Sequence, residues 1–151
     1  MRWPLPVLLG LILFCLVQPA AAAAEANKIG YVSFQEARIE LRDGTARVEV
    51  DYTLDPGMPL IILLFGSGDL QKKVERALNF PSVKADEVGL SRAVFTLAGA
   101  SESYGDQAYW FAPHTFGVTF PEVEVKAPGF TMEYPKARAI TKGFGYFGGS
   151  P

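Results

Sequence analysis

Between residues 31 and 54 apolar and polar side chains alternate with a period of two, and the alternation breaks once, at Asp43-Gly44. An Asp-Gly break between alternating segments marks a type I′ hairpin, because both central residues of that turn need positive φ. The pattern predicts strands over 31–42 and 45–54. In that register Ala37, Ile39 and Leu41 oppose Val50, Val48 and Ala46 on one face, with Gln35 opposite Tyr52. The other face sets Glu40 against Arg47 and Arg38 against Glu49. Each such pair contributes about 0.2–1 kcal/mol. A one-residue slip would bury these charges, so the register is tightly specified.

Further along, Met58–Phe65 follows Asp55-Pro56-Gly57 as a nearly unbroken apolar run, which predicts a central strand buried on both faces. Gly66-Ser67-Gly68 then opens a stretch in which Leu70, Val74, Ala77 and Leu78 recur at helical spacing among Gln71, Lys72, Lys73, Glu75 and Arg76. This is an amphipathic helix, stopped by Pro81. Strand composition returns at 90–98, 107–112 and 118–126, where Pro121 marks an edge or a bulge. After Ala127-Pro128-Gly129, the alternation of Phe130, Met132 and Tyr134 with Thr131 and Glu133 predicts one more strand. About seven strands and one inserted helix make a mainly β fold, read as an immunoglobulin-like antiparallel β-sandwich, with an α+β mixed sheet as the alternative.

The two ends differ from the middle. Arg2, an apolar run from Leu5 to Val17, a Gln18-Pro19 break and the alanines up to Ala24 make residues 1–24 a secretory signal peptide. An uncleaved N-terminal anchor is the alternative, and it is the one route by which the sequence offers a membrane contact. Residues 25–142 then form a single extracytoplasmic β-rich domain, secreted or held at the cell surface. Residues 143–151, with glycines at 143, 145, 148 and 149, read as a flexible Gly/aromatic tail that cannot repay its ordering entropy. Three cations upstream, Lys136, Arg138 and Lys142, fall short of the 4–8 usual in lipid-binding clusters. Cys15 is the only cysteine and lies within the leader. Phe14 before it is too large for a lipid-attachment motif, so the exported domain is expected to be free of disulfides.

Charge narrows the partners. The chain carries 14 basic and 16 acidic residues, and loss of Arg2 with the leader takes the net charge from −2 to −3. A weakly acidic, well-mixed surface excludes nucleic acid as the main partner. No cofactor motif survives inspection either. Gly66-Ser67-Gly68 finds Gln71 where a dinucleotide fingerprint needs a third glycine, and Leu70-Gln71-Lys72 is not a Walker loop. Asp69 would repel an anion there. A nucleophile elbow around Ser67 fails at Phe65. Ser67 or Asp69 as a helix N-cap accounts for the segment.

Three sets of residues are candidates for chemistry. Asp106, Gln107, Tyr109 and Trp110, with His114 downstream, resemble the aromatic and amide lining of a sugar-binding surface, although strand alternation alone would send Tyr109 and Phe111 into the core. His114, the only histidine, is the one possible base for a Ser-His-Asp hydrolase. Glu36 opposite Asp51 places two carboxylates together, a weak metal candidate because Ca²⁺ wants 6–8 oxygens; Arg38 nearby offers the simpler neutralisation. The sequence thus points to a non-catalytic binding or structural module whose partner is a protein or surface polymer in preference to a small molecule. A small secreted hydrolase using His114 and a carbohydrate-binding module using Trp110 are the alternatives.

Overall fold

Asp43 and Gly44 do take positive φ, 48° and 79°, and the strands they join pair Ala37 with Val50, Arg38 with Glu49, Ile39 with Val48 and Glu40 with Arg47. The computed structural model describes residues 26–149 of the chain; residues 1–24, expected to be a signal peptide, lie outside the described residues. The elements are β1 (Lys28–Ile29), β2 (Val32–Arg42), β3 (Thr45–Leu54), α1 (Met58–Phe65), α2 (Gly68–Leu78), β4 (Lys84–Val88), β5 (Arg92–Leu97), β6 (Glu102–Ser103), β7 (Ala108–Phe111), β8 (His114–Ala127), β9 (Phe130–Ile140) and β10 (Phe144–Phe147).

The fold is mainly β. Seven strands form one sheet in the order β4-β5-β3-β2-β8-β9, with β1 also on β2, and β10-β7-β6 form a second, smaller sheet. The large sheet is mixed rather than antiparallel throughout, because β8 runs parallel to β2, from Glu36 beside Glu122 to Glu40 beside Lys126. Its inner face carries Ala37, Ile39, Val48, Val50, Phe95, Val123 and Val125, all essentially inaccessible. Residues of the second sheet and of α2 belong to the same core cluster.

Three expectations need correction. Met58–Phe65 is a helix, not a strand, and it is largely exposed. An eight-residue apolar run satisfies either period. Pro59 in its first turn, where the missing N–H costs nothing, decides for the helix. Gln35 does not face Tyr52; a bulge between Phe34 and Glu36 puts Phe34 there instead. The extra residue turns Gln35 to solvent and lets Phe34 into the core against Tyr52 and Phe120. The expectation for Pro121, an edge or a bulge, holds as the bulge: the residue sits in an interior strand just beyond a register shift between Thr115 and Phe120.

The third correction is that residues 144–147 are a strand. β10 pairs with β7, Tyr146 opposite Tyr109 and Gly145 opposite Trp110, and Tyr146 is buried. The glycines there answer a steric demand. A Cβ on Gly143 would lie 2.6 Å from the Trp110 ring and 2.7 Å from the Phe111 carbonyl oxygen, and one on Gly148 would lie 2.5 Å from Asp43 Oδ1. Deleting residues 143–151 is accordingly expected to lower the urea midpoint, because Tyr146 leaves a cavity beside Tyr109 and large-to-small losses in a core cost about 2–5 kcal/mol. An unchanged midpoint would show that β10 adds nothing to the fold.

α2 follows its sequence pattern closely. Leu70, Val74, Ala77 and Leu78 are all fully buried, and Asn79, at φ 58°, ends the helix with its N–H on the Glu75 carbonyl. Ser67 holds the N-cap position but makes no side-chain cap bond.

Candidate functional site

The predicted sugar-binding residues are not brought together. Asp106 and Gln107, at φ 47° and 61°, form the turn from β6 to β7, closed by Ala108 N–H on the Gly105 carbonyl and Tyr104 N–H on the Ala108 carbonyl. Tyr109 is half-buried and stacks on Tyr146 at 5.5 Å. Trp110 is 40% exposed, on the opposite face of β7 from Phe111. The cleft of about 200 Å³ that His114 lines includes Phe80, Pro81, Leu97, Gly99 and Phe111, but neither Trp110 nor Asp106.

His114 has a structural partner. Its ring stacks on Phe80 at 3.8 Å and meets Phe116 edge-on, and Nε2 lies 2.7 Å from the Leu78 carbonyl oxygen. A carbonyl only accepts, so Nε2 carries the proton and donates to one of the free carbonyls at the end of α2. Asn79 Nδ2 donates to the Thr115 carbonyl beside it at 2.9 Å. Burial holds the imidazole pKa below its usual 6.5, a shift opposed by the Leu78 bond. The sign follows. A depressed folded-state pKa contributes stability in full above 6.5 and loses it as pH falls through the folded value. Thermal melts between pH 8 and 5 should show the midpoint falling below pH 6.5 in the native chain. The His114→Gln variant should fall less steeply over that window; parallel curves would remove His114 as the cause.

Glu36 and Asp51 are held by cations of the chain itself. Arg38 donates to Asp51 at 2.7 Å and to Glu36 and Glu49 at 3.3 Å, and Arg92 Nε donates to Asp51 at 2.8 Å. Arg47 completes the cluster on Glu49. Among the described residues no group of three or more His, Cys, Asp or Glu side chains is placed to hold a metal ion.

What sequence reasoning missed is α1. Leu60, Ile61, Leu63, Leu64 and Phe65 are between 47% and 84% exposed, and of the eight residues only Ile62 is buried. At about 100° per residue, those five side chains cover roughly 200° of the helix circumference; Met58, Pro59 and Ile62 occupy the arc facing the domain. An apolar patch with a polar rim marks a contact site on a protein surface. No protein-family model, curated protein or solved structure matches this chain. The patch must speak for itself.

Both ends of α1 are tied to the β1–β2 turn. On the entry side Asp55 N–H donates to the Tyr31 carbonyl at 2.9 Å, and Lys28 Nζ pairs with Asp55 at 2.9 Å. On the exit side the Tyr31 hydroxyl donates to Asp69 at 2.8 Å. Lys73 pairs with Asp69 at 3.3 Å and lies 5.2 Å from the centre of the Tyr31 ring. The Tyr31 pKa is pushed up to about 12 by partial burial and by Asp69. The Asp69 carboxyl is held below its usual range by the Tyr31 hydrogen bond, and then by Lys73. α1 is thus a clamped apolar handle whose base is a collar of Lys28, Tyr31, Asp55, Asp69 and Lys73. A run of apolar residues gives no sign of which way it will face, although Pro59 and the charges at its flanks were visible signals of a helix standing outside the sheet.

Proposed function

We propose that this chain is an exported, non-catalytic module that acts at the cell surface by docking through α1. The observation that carries the reading is the exposure of five large apolar side chains on one short helix, held in a fixed pose by the Tyr31 clamp. Burying a Leu, Ile or Phe stabilises by about 1.5–3 kcal/mol, so leaving five in water is a standing cost that a docked partner removes. Export rests on the composition of residues 1–24. A sandwich-like, immunoglobulin-like reading of the architecture draws support from the two sheets sharing one core.

The test uses single cysteines in a Cys15→Ser background of the full chain. On intact cells, a membrane-impermeant maleimide should label Lys84→Cys, on the exposed edge strand β4, and should label Phe65→Cys far more slowly. Equal labelling would sink the docking role of α1, and no labelling of Lys84→Cys would sink surface exposure.

A second reading has one observation in its favour. The Trp110 indole packs against Gly143 and Gly145 and remains partly open to solvent, a platform on which a sugar ring could stack. Soluble cell-surface polysaccharide should then quench its fluorescence, and no quenching would dismiss that reading.

A further inference from the structure

We infer that the partner of α1 is bilayer lipid, an inference that rests on the docking role proposed above and names its occupant. The first reason is angular. A helix packing on another helix, from a second copy or from a groove, covers a stripe of about 100°, half of the roughly 200° arc over which Leu60, Ile61, Leu63, Leu64 and Phe65 stand exposed. Lipid surrounds a protruding helix and covers such an arc whole.

The second reason is where the chain enters the domain. Lys28 pairs with Asp55, at the foot of α1. Lys28 is the fourth residue after Ala24, at most about 14 Å of extended chain away, which is close to the roughly 12 Å length of an eight-residue helix. The described chain begins at Ala26, two residues before Lys28, so it enters the domain at the same end as α1. A chain whose leader is threaded through a membrane delivers α1 to that membrane's surface. The third reason is the collar. Tyr31, Lys28 and Lys73 have apolar stems and polar tips, the side-chain type that suits an apolar–aqueous boundary. Lys28 and Lys73 are each paired with a carboxylate, so the collar selects depth and not lipid charge. Among the described residues no helix is long and apolar enough to cross a membrane. α1 is accordingly immersed in one leaflet of a hydrocarbon core about 30 Å thick.

The experiment places an environment-sensitive fluorophore at Leu63→Cys in the full-length Cys15→Ser chain, with a second sample labelled at Lys84→Cys. Adding phosphatidylcholine vesicles should raise the Leu63 emission severalfold and shift it to the blue. Lipids brominated along the acyl chain should quench it, and the Lys84 label should not respond. A response confined to anionic vesicles and abolished by salt would overturn the proposal in favour of a basic contact. A rise that follows protein concentration without lipid would overturn it in favour of a second copy, and a blue emission independent of both would assign the patch to the chain's own leader. If the label ignores vesicles while Phe65→Cys stays protected on cells, lipid is wrong and docking stands; if protection is absent too, both fall.

Discussion

The Gly117→Ala variant should be the most damaging single-methyl change in this protein. A Cβ on Gly117 would overlap the Arg76 carbonyl oxygen, sit 3.0 Å from the Arg76 carbonyl carbon and 3.3 Å from the Ala77 Cα. All three are backbone atoms of α2, which cannot swing aside as a side-chain tip would. The helix must lift from β8, and Leu70, Val74, Ala77 and Leu78 lift with it. Overpacking of this kind typically costs about 1–3 kcal/mol and occasionally more; here it also strains the His114 bond to Leu78 and the Asn79 bond to Thr115. The expected result is a large drop in urea midpoint with an unchanged m-value, the sign of lost stability without a change in the exposed surface. Gly68→Ala is the control. Gly68 lies in the first turn of the same helix, has open space where its Cβ would go and shows no positive φ, so alanine should be neutral or slightly stabilising. A Gly117→Ala midpoint equal to the native one would mean that α2 does not rest on β8 through this residue.

The second large effect concerns function with the fold held constant. Leu60→Gln, Leu63→Gln and Phe65→Gln combined should change stability by no more than about 1.5 kcal/mol, since these side chains are mostly exposed and a single surface change rarely exceeds about 0.5 kcal/mol. Glutamine matches leucine in helix propensity, so α1 itself should persist. Docking should suffer far more. Even at the low end of about 1.5 kcal/mol for each apolar side chain withdrawn from water, three losses exceed the roughly 2.8 kcal/mol of a hundredfold change in affinity. With the reporter at Leu64→Cys, vesicle titrations should shift by at least that factor, while the urea midpoint moves only slightly. A triple variant that docks as well as the native chain would remove α1 from the interaction. One that unfolds would show that α1 is part of the core and not a handle.

The hairpin and α2 were legible because each is encoded by neighbours in the chain. Asp43-Gly44 supplies two residues tolerant of positive φ, and the charges on one face of 36–51 make any other register costly. Leu70, Val74, Ala77 and Leu78 match one helical face. By contrast, the bulge at Gln35 is set by the space that Phe34 finds beside Tyr52 and Phe120, the last some 86 residues away in the chain. The parallel pairing of β8 with β2 is likewise invisible to local periodicity. The sugar-like cluster from Asp106 to His114 was contiguous only in sequence: turn geometry claims Asp106 and Gln107, the core claims Tyr109, and the end of α2 claims His114.

Two apolar or glycine-rich stretches show where the boundary lies. Local chemistry determined that Met58–Phe65 is apolar and that residues 143–149 are rich in glycine. It could not determine that the first stands in solvent as a helix, because a short apolar run is compatible with core, interface or lipid until its neighbours are placed. Nor could it say that the glycines of the second admit Trp110 and Asp43 against the backbone. Burial and close approach are relations between distant segments, and only the packed sheets decided them.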